Sequence, residues 1–204
     1  GPVLLTPFEL RMVGERSLGL PPGTFTWTGP FAPDDDPDWS DFQAGSMTER
    51  DYWARRCDEF HILSGEPASM PAFMAHLYSG DESELVRPEA RRLIMDAKAA
   101  GIPVGVLTND LTAFHEPAWL ERMTVLAEFD AMVDGRMDGV MKPEARAYEL
   151  MAERLGVTVG ECVFIDDQPG NLAGAAAVGM QGVHCDPVDP SPGFAEARRL
   201  LDLD

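Results

Sequence analysis

The stretch Cys162 to Met180, CVFIDDQPGNLAGAAAVGM, decides the fold. Cys162 to Ile165 is a short apolar run of strand-forming residues. Two carboxylates, Asp166 and Asp167, come directly after it. Gln168-Pro169-Gly170 supplies turn chemistry, and Asn171 to Val178 reads as a helix stopped by Gly179. Gln181 to His184 is the next short strand. Strand, helix and strand in this order make a crossover between two parallel strands.

The same alternation extends in both directions. Pro143 to Leu155 reads as a helix with proline at its first position and Gly156 as its stop. Phe129 to Val133 and Pro103 to Leu107 are short apolar strands, with a helical stretch around Pro117 to Leu126 between them. Pro88 to Ala100 is an amphipathic helix ended by Gly101, and Gly193 to Leu201 is the last helix. Residues 88–204 are therefore expected to form an α/β core domain, a doubly wound parallel sheet with helices on both faces.

Residues 1–87 read differently. Phe8 to Leu18, Thr48 to Ile62 and Ala68 to Tyr78 have helical patterning, and no strand pattern appears. Thr48 is the expected N-cap of the second helix, with Asp51 three residues later in a capping-box position. Gly29 to Asp41, GPFAPDDDPDWSD, reads as a loop whose Asp34, Asp35 and Asp36 are solvated. This part is expected to be a small all-helical cap region. Its aromatics Trp27, Trp39, Tyr52 and Trp53 are expected to form the cap core, or else to set the substrate.

Composition narrows the function. The 204 residues carry a net charge of −19, with 45% apolar and 25% charged residues. That field repels phosphate backbones and anionic lipid, so neither nucleic acid nor a membrane surface is expected as partner. No apolar run reaches the ~18 residues of a membrane helix. Cys57, Cys162 and Cys185 are odd in number and lack CxxC spacing, which fits small buried side chains in a reducing, cytoplasmic protein. No G-x-G-x-x-G opens a helix after a strand, and no P-loop is present.

In parallel α/β sheets, ligands sit beyond the carboxyl ends of the strands. Thr108, Asn109 and Asp110 come after the strand at Leu107. Lys142 lies beyond the turn at Asp134-Gly135, and Asp166, Asp167 and Asn171 lie beyond the strand at Ile165. Taken singly, each is an ordinary cap, turn or helix entrance. Together they offer a hydroxyl, an ammonium and a carboxylate pair on one rim. Adjacent carboxylates are costly unless a cation lies between them, and Mg²⁺ or Lys142 would remove that cost.

In this order the segments GVLTND, MKPEARAYELMAERLGV and VFIDDQPGNLAGAAAVGM resemble the second, third and fourth motifs of the haloacid dehalogenase-like superfamily. The resemblance covers residues ~88 to 185. GSMTERDYW looks like the small helical cap of the branch that includes the N-terminal phosphatase domain of soluble epoxide hydrolases. The resemblance implies a Mg²⁺-dependent phosphatase of a small phosphorylated metabolite. Thr108 and Asn109 would bind the phosphoryl group. Lys142 would steady its charge, and Asp167 would be the direct metal ligand. Asp166 would support the metal or hold Lys142, and Asn171 would orient the acidic loop.

The family's first motif, an apolar strand ending in the nucleophilic aspartate, has no counterpart in the sequence. Gly1-Pro2-Val3-Leu4-Leu5-Thr6-Pro7-Phe8 looks like the stretch immediately after those acids, so the nucleophile is expected upstream of Gly1. Two other functions stay open: an inactive binding or regulatory protein that keeps the phosphate and metal pocket, and a 2-haloacid dehalogenase. A homodimer is also left open.

Overall fold

The computed structural model describes residues 1–203. The chain divides into two compact units, Leu5–Leu85 and the pair of segments Gly1–Leu4 and Val86–Asp204.

Leu5–Leu85 is helical: α1 (Arg11–Leu18), α2 (Pro37–Gln43), α3 (Glu49–Ser64), α4 (Met70–Leu77) and α5 (Glu82–Leu85), with two 3₁₀ turns at Gly29–Phe31 and Pro33–Asp35. The capping box at Thr48 and Asp51 opens α3 as expected, and Gly65 closes it in the left-handed conformation. Phe8, Phe25, Trp27, Tyr52, Phe60 and Phe73 are buried and meet edge-on or tilted, with ring centroids such as Phe8–Trp27 at 5.7 Å. Trp27 and Tyr52 are thus core, while Trp39 and Trp53 are half-buried.

One loop expectation is overturned. Asp34 and Asp35 are not buried, but Asp36 is only 3% exposed. Its carboxylate accepts hydrogen bonds from the Thr28, Gly29 and Trp39 amides and the Tyr52 hydroxyl, at 2.8–3.0 Å. It is the N-cap of α2, a helix that begins inside the expected loop. Burial is tolerated because four donors replace water.

The second unit carries α6 (Pro88–Ala99), β1 (Gly105–Thr108), α7 (Leu111–Phe114), α8 (Pro117–Arg122), β2 (Ala131–Asp134), α9 (Gly135–Asp138), α10 (Ala145–Leu155), β3 (Val163–Asp166), α11 (Pro169–Ala177), β4 (Gln181–His184) and α12 (Ser191–Leu200). β1 runs parallel to β2, with Thr108 opposite Asp134, and β3 runs parallel to β4, with Asp166 opposite His184. The expected parallel α/β core is present, but its four strands lie as two pairs and not as one continuous sheet.

Alternation along the strands sorts their side chains between two helical layers. Val163, Ile165 and Val183 pack with Ala90 and Leu93 of α6 and Phe194 and Ala197 of α12. Leu107 and Phe164 pack with Tyr148 and Ala152 of α10 and Ala175 of α11. In α10 the apolar residues Ala147, Tyr148, Met151 and Ala152 recur at helical spacing and are all buried. Each fully buried large side chain contributes about 1.5–3 kcal/mol relative to exposure.

Several boundaries differ from expectation. β1 and β3 each run one residue further, so Thr108 and Asp166 are the last residues of their strands. The helix expected from Pro143 starts at Ala145, because Glu144 has an extended backbone (φ −65°, ψ 135°) and acts as its N-cap. Pro143 is preceded by a cis peptide bond and lies outside the helix.

Candidate active site

The ends of the parallel strands bring several of the expected residues together. Thr108, Lys142, Asp166 and Asp167, with Gly1, line one cavity. Asn109 and Asn171 do not line it; they act behind it.

Lys142 and Asp166 form its charged centre. Lys142 Nζ donates to Asp166 Oδ2 at 2.7 Å, with side chains only 12% and 3% exposed. The other oxygen, Oδ1, accepts from the Gln168 amide and from Asn171 Nδ2, both at 2.9 Å. The Asp166 carboxylate is therefore held by three donors, which compensates its burial. Lys142 Nζ also lies 5.5 Å from the centre of the Phe164 ring.

Asn171 sits in the first turn of α11 and is 7% exposed. Its backbone carbonyl accepts from the Tyr148 hydroxyl at 2.7 Å. Burial, and then the Asp166 carboxylate, push the Tyr148 pKa up to about 12, so the phenol remains a donor.

Asn109 is committed to the backbone of the lysine. Its Nδ2 donates to the Lys142 carbonyl at 3.1 Å and its Oδ1 accepts from the Lys142 amide at 2.8 Å. The side chain expected to bind phosphate is thus occupied in holding Lys142. The Thr108 hydroxyl, by contrast, makes no hydrogen bond among the described residues and is a free donor at the cavity.

Two glycines allow the strand-end loops to approach. A Cβ on Gly135 would lie 2.6 Å from the Asn109 carbonyl oxygen. One on Gly174 of α11 would lie 2.6 Å from the Pro143 carbonyl oxygen. Any side chain at either position would push the Asn109 or Lys142 loop outward.

The arrangement also includes a residue that reads in the sequence only as a turn. Asp134 is 1% exposed and accepts from the Thr112 amide at 3.0 Å, the Thr112 hydroxyl at 2.6 Å and the Arg136 and Met137 amides. It ties α7, after β1, to α9, after β2. The available signal is its position, the last residue of a strand directly before glycine. Next to it, partial desolvation and then the Asp134 carboxylate raise the pKa of Asp110, against the pull of Lys142.

Asp167 differs from Asp166. Its side chain is 24% exposed, and its Oδ1 lies 4.0 Å from the Gly1 nitrogen. It is the more accessible of the two carboxylates. No group of three or more His, Cys, Asp or Glu side chains forms a metal cluster among the described residues. The donor set suits Mg²⁺, which takes one or two carboxylates and completes its shell with water and substrate phosphate.

The family model for haloacid dehalogenase-like hydrolases matches residues 32–179. The chain belongs to this family. A phosphatase of Mycobacterium tuberculosis is 35% identical over 94 residues, which is 46% of this chain and 43% of that protein. A ribulose-1,5-bisphosphate 5-phosphatase of Halopiger xanaduensis is 30% identical over 154 residues, 74% of this chain and 64% of that protein. The chain thus spans less than half and about two thirds of these relatives' lengths, respectively. A solved HAD phosphatase from Thermococcus onnurineus superimposes with a TM-score of 0.57 at 20% identity, covering 98% of this chain and 94% of that one, which shows the shared fold.

No helix among the described residues is long and apolar enough to cross a membrane. Cys57, Cys162 and Cys185 are free thiols; Cys57 and Cys185 are buried, and burial pushes the Cys185 thiol up to about 11.

Proposed function

We propose that this chain handles the phosphoryl group in a Mg²⁺-dependent phosphatase acting on a small phosphorylated metabolite. The observation that carries the reading is the Lys142–Asp166 pair at 2.7 Å, beside the free Thr108 hydroxyl and the Asp167 carboxylate in one cavity. Phosphatases among the similar proteins support it.

In this reading Thr108 donates its hydroxyl to a phosphoryl oxygen. Lys142, paired with Asp166, offsets negative charge that grows on the transferring group. Asn109 and Asn171 keep the ammonium and the acidic loop in place. Asp167 would hold Mg²⁺, which when bound supplies Lewis-acid stabilisation of phosphoryl oxygens. An aspartyl-phosphate route needs an attacking carboxylate in addition to these residues.

The test is phosphate release from a broad phosphoester panel by the untagged product of the gene, with Mg²⁺ and with chelator. Turnover that depends on Mg²⁺ and is lost in Lys142→Ala is the expected result. No release from any ester, with Lys142→Ala indistinguishable from wild type, overturns the reading. Stabilisation by Mg²⁺ and phosphate without turnover would instead favour the binding-protein function. One observation supports that alternative: Lys142 and Asp166 are braced by each other and by Asn109, Gln168 and Asn171, as in a pocket built to hold a ligand.

A further inference from the structure

The helical unit carries a chain of hydrogen bonds that the phosphoryl chemistry does not use. Ser17, near the end of α1, has its hydroxyl 2.9 Å from His76 Nδ1. His76, in the last turn of α4, has its Nε2 3.0 Å from Glu66 Oε1. Two helices and the loop between α3 and α4 thus meet through one imidazole ring.

Local packing places each member. Gly14 lies one turn before Ser17 on the same face of α1. A Cβ there would come within 2.8 Å of the Leu77 side chain, so glycine lets α1 approach α4 next to His76. The Phe60 ring packs against the imidazole, with centroids 5.6 Å apart. Glu66 is held through its backbone: its amide donates to Ser64 Oγ at 3.0 Å, and its carbonyl accepts from His61 Nδ1 at 2.5 Å.

The polarity of the chain follows from what each group can donate. A carboxylate only accepts, so Glu66 fixes the ring proton on Nε2. Nδ1 of the neutral ring then carries a lone pair, and the Ser17 hydroxyl donates to it. A mere tie between α1 and α4 would be satisfied by either tautomer. The glutamate selects the one in which a base withdraws a proton from a nucleophile. The nucleophile is also within reach of solvent, because Ser17 is exposed while the imidazole is only 21% exposed.

The surroundings narrow the substrate. The amides that follow Ser17, those of Gly19 and Leu20, donate to the carbonyls of Arg16 and Glu15. They are not available to stabilise an oxyanion, so the leaving group must be a good one. We propose that Ser17, His76 and Glu66 form a nucleophilic site of their own, which cleaves small activated carboxylic esters. Ser17 Oγ attacks the carbonyl carbon while His76 Nδ1 takes the hydroxyl proton. The bond to the leaving oxygen breaks, and His76 passes the proton to it. Water then attacks the acyl-serine with His76 again as base, which releases the acid and restores the hydroxyl. Ser17 and His76 are the catalytic residues, and Glu66 is a positioning residue. The inference goes beyond the phosphatase reading and does not rest on it.

The first probe is a fluorophosphonate, which esterifies an activated serine with loss of fluoride. Labelled peptides are mapped in the intact protein. Ser40 is the internal reference, an exposed serine whose hydroxyl donates to the Pro33 carbonyl. Ser17 should be labelled about a hundredfold faster than Ser40. The second probe is p-nitrophenyl acetate. Its turnover should fall about tenfold or more in Ser17→Ala and in His76→Asn. Glu66→Gln keeps an acceptor oxygen for Nε2 but loses the charge, and should lower kcat about tenfold with KM unchanged. Equal labelling of Ser17 and Ser40 overturns the proposal. So does full turnover by Ser17→Ala, which would make the imidazole the nucleophile. An unchanged kcat in Glu66→Gln overturns the role of the glutamate. The two serines are compared within one folded protein, so a variant that fails to fold does not decide the outcome. Phosphate release enters neither readout, so either reading can fail while the other stands.

Discussion

Asn109 and Lys142 exchange two hydrogen bonds, amide group to backbone, at 3.1 and 2.8 Å. The residue just after β1 thereby fixes the backbone of the lysine on a loop 33 residues later. Lys142 can then direct its ammonium at Asp166 without ordering a long free loop. Asn109→Ala removes both bonds and leaves two backbone groups unpaired. It should cost about 1–3 kcal/mol in urea unfolding. It should also speed hydrogen exchange at the Lys142 amide, because that amide loses its acceptor. Unchanged exchange there would refute the clamp.

The buried ion pair gives an asymmetric prediction. Asp166 is held by Lys142, the Gln168 amide and Asn171, whereas Lys142 Nζ has Asp166 as its anionic partner. Asp166→Ala leaves three donors without an acceptor and should cost about 3–5 kcal/mol. Lys142→Met keeps two of the three donors on Asp166 and should cost less. Urea unfolding of the two variants gives the order directly; equal or reversed losses would show that the remaining two donors do not support the carboxylate.

Much of this site is legible in the sequence because its chemistry is local. The strand VFI with two acids after it predicts a carboxylate pair at a strand end, Thr108 falls at another strand end by the same pattern, and Lys142 follows on the loop beyond the Asp134-Gly135 turn. The division of labour between the acids is not legible. Adjacent residues of a chain leaving a strand point in different directions, so Asp166 turns to Lys142 while Asp167 remains accessible. The role of Asn109 escapes the sequence because its partner is a backbone group distant along the chain. Asp36 escapes it because three neighbouring aspartates look alike until the Thr28–Gly29 turn and Tyr52 fold over one of them. The split of the sheet likewise depends on non-local pairing that short apolar runs do not encode.

Asp36 supports a prediction for the helical unit. Burial raises its pKa, but the amides of Gly29, Trp39 and Thr28 and the Tyr52 hydroxyl outweigh that effect and hold it below the usual value of 3.8. The carboxylate's contribution is present above the unfolded pKa and is lost as pH falls through the folded one. Asp36→Ala strands four donors and removes the α2 cap, and should cost about 3 kcal/mol or more. Asp36→Asn, which keeps an acceptor oxygen, should recover part of the loss. Thermal melts at neutral pH compare the three proteins, and equal melting temperatures for alanine and wild type would show that the buried network contributes nothing.

His115 makes stability depend on pH in a different window. Its ring stacks on Trp119 with centroids 3.8 Å apart and planes 15° from parallel. Burial lowers its pKa from 6.5 to about 4. Between these values the unfolded chain binds a proton that the folded protein does not, so acidification favours unfolding. The group's contribution is complete above pH 6.5, declines as pH falls, and changes no further below about 4. The loss across the window is on the order of 2–3 kcal/mol. His115→Phe keeps a ring against Trp119 and cannot be protonated. Other groups titrate equally in both proteins, so the stability of wild type minus that of the variant isolates the histidine. That difference should fall by this amount between about pH 7.5 and 4 in urea unfolding. A difference independent of pH would mean that the imidazole titrates as it does in the unfolded chain, and that the stack with Trp119 opens to water.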